Sequence, residues 1–311
     1  MLKHTMGILI TFVFGLACAQ TGVAKDPAPV PDVPLIPEQI TETARKDLFQ
    51  KGISPDFLGE IELKYTRKKN WIQSSLKLIE PNVYGFLYQG DYMKHDSRRA
   101  RKKTSRYLMA HHHSFLAAEK RYRVSAESIA ALLWVETKLG NDMGQHAVPF
   151  VFYSIALASQ PSVCREMEKL LPVKLDGAKT AEKPDAATAA RKLEERCKQK
   201  SEWAISELKE LSRLHESGKL DAFKLRGSFA GAFGIPQFLP SSYAKYAISE
   251  YRKKPNLFLI SDAILSVGNF LKQNGWKPDS TDSQAQALYA YNRSRDYGVV
   301  ILQIAEQLGE I

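Results

Sequence analysis

Arg226 to Tyr243 reads RGSFAGAFGIPQFLPSSY. Gly227, Ala230, Gly231, Ala232 and Gly234 place five minimal side chains within eight residues. A chain of this kind turns sharply and lets a second surface approach closely. Ser228 and Gln237 are uncharged polar groups set among Phe229, Phe233, Ile235, Phe238 and Leu239. Small residues, aromatics and a few hydrogen-bonding groups fit the wall of a ligand groove. They fit equally a tight turn between two helices, and composition alone leaves both open.

Upstream, Ser125 to Gly140 reads SAESIAALLWVETKLG. Ser125 suits an N-cap, Glu127 a first turn and Gly140 a helix stop. Ile129, Leu132 and Leu133 mark an apolar face at helical spacing. Glu136 takes the next position on that face, in the last turn, where the helix dipole disfavours negative charge. Burial and dipole both push a carboxyl pKa upward, as a general acid needs. Periodicity also permits a surface Glu, or one half of an ion pair with Lys138, and structural pairs perturb carboxylates too.

Three stretches in order, VETKLGNDMG (Val135–Gly144), GSFAGAFGIPQFLPSSY (Gly227–Tyr243) and AYNRSRDYGVVILQIAEQL (Ala290–Leu308), resemble the membrane-bound lytic transglycosylase B family. The resemblance runs from about Arg98 to the C-terminus, and more weakly over Ile40–Gln89. It implies a mostly α fold: a lysozyme-like helical core over 105–311 with a smaller N-terminal helical subdomain over 40–104. It implies an enzyme that cleaves the MurNAc–GlcNAc bond of peptidoglycan and leaves 1,6-anhydroMurNAc ends. Glu136 matches the family's single catalytic acid. Ser228 and Gln237 match groove residues that hydrogen-bond the sugars. Tyr291 and Asn292 match the pair facing the acid, and Tyr297 matches an aromatic lining the site. Phe233 is expected to line the same groove, at a position where relatives often carry Met. Paired arginines that contact the stem peptide in relatives have no clear counterpart. Because the sugar's N-acetyl group and C6 hydroxyl take part, the two-carboxylate test for glycosidases does not apply. A hydrolytic lysozyme-type muramidase and a non-catalytic peptidoglycan-binding protein stay open as alternatives.

Composition is compatible with this. A chain of 311 residues with 44% hydrophobic content accommodates a core of about 200 residues and a smaller annex. The net charge of +10 suits an anionic partner. Charge alone admits nucleic acid or the bacterial wall; the resemblance selects glycan strands, with no nucleic acid and a monomeric chain. The one compact basic run, RRARKK at Arg98–Lys103, reads first as a solvated face.

Met1 to Ala19 reads as an export signal: a weakly basic start, the apolar run Ile8–Leu16, and the small-x-small site Ala17-Cys18-Ala19. Cleavage there makes Gln20 the first mature residue of a periplasmic protein. The rival is an outer-membrane lipoprotein anchored through Cys18, for which Gly15 fits poorly. Residues 20–39 read as a Pro-rich tether, with folded structure from about Ile40. Ser54-Pro55 is an N-cap and N1 pair ahead of a helix. Further helices are expected at Trp71–Leu78, Tyr107–Arg121, Ser242–Tyr251, Asp262–Asn274, Gln284–Tyr291 and Tyr297–Leu308. His111, His112 and His113 point different ways on a helix and do not match a zinc site.

Residues 162–200 are polar, Lys- and Ala-rich and broken by Pro184, and are expected to form a mobile excursion. Cys164 and Cys197 bracket it. With Cys18 removed or lipidated, they are the remaining thiols in an oxidising compartment, and a disulfide closing the base is expected. Where relatives carry an acidic calcium loop, this chain reads EYRKKPNLFLISD (Glu250–Asp262), without alternating Asp/Asn ligands. No metal and no cofactor are expected.

Overall fold

The structure, a computed structural model, describes residues 35–88, 90–180 and 183–310. The leader expected at 1–19 and most of the expected tether lie outside them. Thirteen α-helices succeed one another among the described residues. They are α1 (Pro37–Gln50), α2 (Pro55–Ile61), α3 (Trp71–Val83), α4 (Arg98–Ala110), α5 (His112–Tyr122), α6 (Ala126–Thr137) and α7 (Val148–Ala156). Next come α8 (Pro161–Asp176), α9 (Ala186–Glu216), α10 (Pro240–Tyr246), α11 (Ile260–Gln273), α12 (Thr281–Tyr291) and α13 (Arg295–Gly309). Two short strands, β1 (His146–Ala147) and β2 (Arg226–Gly227), pair antiparallel with His146 opposite Gly227. The fold is the mostly α, lysozyme-like one expected.

Caps fix several helix starts. Ser54 Oγ accepts from the Phe57 N–H at 3.4 Å, and Ser125 Oγ from the Ser128 N–H at 3.3 Å. Each capped donor would otherwise lack a partner. The first helix begins at Pro37, slightly ahead of the expected Ile40. Helix α6 is apolar almost all round, and Ile129, Leu132 and Leu133 are fully buried. A helix of that composition belongs at the centre of a core, and α4, α5, α11 and α13 pack around it.

Three expectations are corrected. Residues 107–121 are not one helix: His111, at φ −122° and ψ 24°, leaves helical geometry and separates α4 from α5. The helix from Ser242 stops at Tyr246 instead of Tyr251. The carboxylate of Asp262, 0% exposed, captures the chain beyond it. It accepts from Ser249 Oγ and from the Asn256 N–H, each at 2.8 Å, and Arg252 lies 3.8 Å away.

The third correction concerns residues 162–200, which form most of a helical hairpin. Val163, Met167 and Leu171 on α8, and Ala189, Leu193 and Cys197 on α9, recur every four residues and are buried. That stripe outweighs the polar average that suggested an excursion. Side-chain ties bind the hairpin to α3 and the residue after it: Arg196 donates to the Asn82 carbonyl at 2.9 Å, Lys174 pairs with Glu80, and Tyr84 donates to the Met167 carbonyl. Pro184 precedes Asp185, the N-cap of α9, and interrupts no helix. Cys164 and Cys197 are buried neighbours and are not bonded, so the expected disulfide is not formed in this structure.

Candidate active site

The loop 227–239 folds against the C-terminal end of α6. Glycine is required where backbones meet. A Cβ on Gly227 would lie 2.2 Å from the Ala232 carbonyl oxygen, and one on Gly144 would lie 2.2 Å from the Gly227 oxygen. Within the loop, the Ser228 N–H donates to the Ala232 carbonyl at 2.8 Å, and Phe233 and Phe238 exchange backbone hydrogen bonds. Thr137 Oγ1 then donates to the Ile235 carbonyl at 2.8 Å, joining the loop to the helix residue beside Glu136. Tyr291, the last residue of α12, donates its hydroxyl to the Pro236 carbonyl. Gln237 holds a left-handed backbone at φ 52°, and its amide donates to the Met143 and Gly234 carbonyls.

Glu136 is partly buried in the last turn of α6. Tyr297, in the first turn of α13, donates its hydroxyl to Glu136 Oε1 at 2.6 Å. Tyr291 stacks on Tyr297, ring centroids 6.3 Å apart and 15° between planes, and Tyr92 meets Tyr297 edge-on at 5.7 Å. Asn292 Nδ2 donates to the Tyr92 hydroxyl at 3.3 Å. Burial pushes the Glu136 carboxyl up to about 7, against the opposing Tyr297 hydrogen bond and Lys138 charge. Burial first, and then the neighbouring Glu136, raise the Tyr297 phenol well above its ordinary value, so it stays protonated and remains a donor.

The turn after α6 adds a second cluster. Lys138, in the left-handed region at φ 53°, puts its ammonium on His95 Nδ1 and 4.8 Å from the Trp134 ring centroid. Trp134 Nε1 donates to the His95 carbonyl at 2.9 Å. His95 is pushed down to about 4 by burial and by Lys138 and Lys94, so it is neutral and can accept from the ammonium.

The structure thus brings together Glu136, Tyr291, Asn292, Tyr297 and the Ile235–Gln237 limb. Ser228 lies in the far limb, where its Oγ accepts from the Ala230 and Ala232 N–H groups at 3.3 and 3.2 Å. Phe233 is 1% exposed and packs on Tyr243, supporting the loop from beneath. Phe229, 48% exposed, is the aromatic that the loop presents outward. Asp142 is exposed, its N–H donating to the Thr137 carbonyl at 2.8 Å. Tyr92, His95, Trp134 and Thr137 were not singled out from sequence, and Lys138 was named only as a possible ion-pair partner of Glu136. They belong to no periodic pattern, and the pairing of Tyr92 with Tyr297 exists only in three dimensions.

A carboxyl that titrates near neutrality can both release and recover a proton. Oε1 accepts from the Tyr297 hydroxyl, and Oε2 takes no side-chain or backbone hydrogen bond among the described residues.

Residues 37–288 match the family described as transglycosylase SLT domain. The chain is 40% identical over 78 residues to the membrane-bound lytic murein transglycosylase B of Escherichia coli K12. That stretch spans 25% of this chain and only 22% of that protein. Among solved structures, the soluble lytic transglycosylase SltB1 of Pseudomonas aeruginosa superposes with a TM-score of 0.62 at 19% identity, covering 88% of this chain and 98% of its own. SltB3 of the same organism, solved with NAG-anhNAM-pentapeptide, gives 0.62 at 15%, covering 89% and 80%. The Escherichia coli Slt35, solved with calcium, gives 0.60 at 16%, covering 87% and 92%. At these identities the structural likeness establishes the fold.

Proposed function

Because the chain belongs to the transglycosylase SLT domain family, we propose that it is a peptidoglycan lytic transglycosylase with Glu136 as its single acid and base. The observation that carries this is the hydrogen bond from Tyr297 to a carboxyl held near pH 7. Protonated Glu136 gives its Oε2 proton to the oxygen of the MurNAc–GlcNAc bond, and the C1–O bond breaks. The N-acetyl carbonyl oxygen of MurNAc bonds to C1 as the GlcNAc alcohol leaves. Glu136, now a carboxylate stabilised by the Tyr297 donor and the Lys138 charge, takes the proton of the C6 hydroxyl. The C6 oxygen bonds to C1, the bond to the N-acetyl oxygen breaks, and Glu136 ends protonated as it began. The product is 1,6-anhydroMurNAc.

Gln237 suits sugar binding because its amide N–H groups are held by the Met143 and Gly234 carbonyls, leaving its carbonyl oxygen to a ligand. Tyr291 and Asn292 set the position of Tyr297 and Tyr92 opposite the acid. SltB3, solved with an anhydro-sugar peptide, and the partial likeness to a membrane-bound murein enzyme support the same reading. On it, the protein is exported to the periplasm, acts as a monomer on glycan strands, and needs no cofactor.

The test is digestion of purified wall followed by mass analysis. The released muropeptides are expected to end in 1,6-anhydroMurNAc, one water lighter than lysozyme products. Glu136→Gln is expected to lower the rate by about 10²–10⁴-fold while retaining wall binding. Reducing-end products would make the protein a hydrolase. Full activity in the Gln variant would remove Glu136 from the chemistry.

A further inference from the structure

Helix α4 reads RRARKKTSRYLMA and contains no acidic residue. Arg98, Arg99, Lys102, Lys103 and Arg106 are exposed, and none has an ion pair among the described residues. Other surface helices balance their cations: Lys46 with Glu42 on α1, Lys169 with Glu166 on α8, Arg213 with Glu210 on α9. On α4 the cations fall instead at i, i+4 from one another (Arg98 and Lys102, Arg99 and Lys103, Lys102 and Arg106), where like charges repel. Arg98 and Arg99 also occupy the first turn, the positive end of the helix dipole. This face works against its own helix, so fold stability does not explain it.

One apolar side chain accompanies the charge. Met109, 70% exposed, falls on the basic side of α4 by helical periodicity, opposite buried Ala100 and Thr104. A hydrated carboxylate polymer would pair with the cations but would leave this side chain in water. An anionic bilayer accommodates both, with headgroups against the ammonium and guanidinium groups and the apolar side chain entering the interface.

We infer that the outer face of α4 docks the protein onto an anionic lipid surface. The inner face of α4 packs on α6 and α13, which carry Glu136 and Tyr297. Arg101 reinforces that packing, donating to Asp96 Oδ1 and Gln307 Oε1 at 2.6 Å each. Docking through α4 therefore holds the Glu136 site at a fixed height above the bilayer. The inference is independent of the proposed chemistry.

The experiment compares the full chain carrying Cys18→Ser, which removes any lipid on that residue, with the same chain bearing Arg99→Glu, Lys102→Glu, Lys103→Glu and Arg106→Glu. Both are sedimented with phosphatidylglycerol and with phosphatidylcholine vesicles. Each basic residue near an anionic surface contributes about fivefold in binding. The parent is expected to prefer the anionic vesicles, to lose that preference in high salt, and to bind at least tenfold more tightly than the quadruple variant. Met109→Asp is expected to weaken vesicle binding further. Digestion of soluble glycan fragments should be equal in all variants, which separates this result from a failure of the catalytic reading. Equal binding to both vesicle types, or unchanged vesicle binding by the quadruple variant, overturns the inference. A variant that loses binding to purified wall but not to vesicles assigns the face to the wall polymer and overturns it as well.

Discussion

Tyr297 and Glu136 stand 161 residues apart in the chain, yet the tyrosine hydroxyl donates to Glu136 Oε1 at 2.6 Å. One carboxyl oxygen is thereby occupied. The contact joins the last turn of α6 to the first turn of α13, and those two helices pack directly.

Tyr297→Phe keeps the ring on Tyr291 and removes the donor. Hydrogen bonds to charged groups contribute about 1.5–3 kcal/mol, so kcat should fall by about 10–100-fold with little change in KM. The hydrogen bond lowers the Glu136 pKa, and its loss should move the alkaline limb of the pH–rate profile to higher pH. A profile with an unshifted limb would show that the hydroxyl does not act on Glu136.

Glu136 titrates near 7 in the folded chain against 4.5 for an ordinary Glu. Between these values the folded state holds more protons than the unfolded one, so stability falls as pH rises. The contribution is complete below about 4.5 and lost as pH passes about 7. Glu136→Gln has no such loss. Its Tm should match the parent near pH 4.5 and exceed it at pH 8. A difference independent of pH would contradict the raised pKa.

Asp262 does by hydrogen bonding what a bound cation does in an acidic loop: it draws in Ser249 and Asn256. Activity should therefore survive EDTA. Asp262→Ala orphans these donors, at about 1–3 kcal/mol for each one left buried, and should lower Tm and expose the 249–256 segment to proteolysis. Loss of activity in EDTA that calcium restores would show that this account of the loop is wrong.

Cys164 and Cys197 are placed to pair once oxidised, since the buried faces of α8 and α9 already bring the thiols together. In the exported protein no free thiol is expected after denaturation without reductant. Reduction should cost about 3–4 kcal/mol of stability in the chain-entropy model. Two free thiols in that protein would mean that the pair stays reduced, as it stands in the structure.

Gly227→Ala should be among the most damaging single-methyl additions. The new Cβ would meet the Ala232 carbonyl at 2.2 Å, a backbone atom that cannot step aside. Circular dichroism and activity should fall together. A stable, active Ala variant would show that the loop tolerates a wider path.

Much of the candidate site was legible along the chain because its signals are local. Ser54 and Ser125 cap helices through the N–H three residues on, and Glu136 interrupts an apolar run within one helix. The small residues of 227–234 announce close backbone contact, which Gly227 and Gly144 make. Local signals also misled. The polar average of 162–200 concealed a stripe of one buried residue per turn, and nothing in the sequence showed that His111 would break a helix. Phe233 was read as groove wall from its neighbours, yet whether an aromatic faces a ligand or the core depends on what packs behind it, here Tyr243. The sequence alone determined the helical class, the place of Glu136 on the apolar face of its helix, and the close-packed loop 227–234. Only tertiary structure decided that Tyr297 donates to Glu136, that Tyr92 and Lys138 stand nearby, and that burial raises the Glu136 carboxyl to about 7. Desolvation and hydrogen bonding depend on atoms brought together from distant parts of the chain, and one-dimensional spacing carries no record of them.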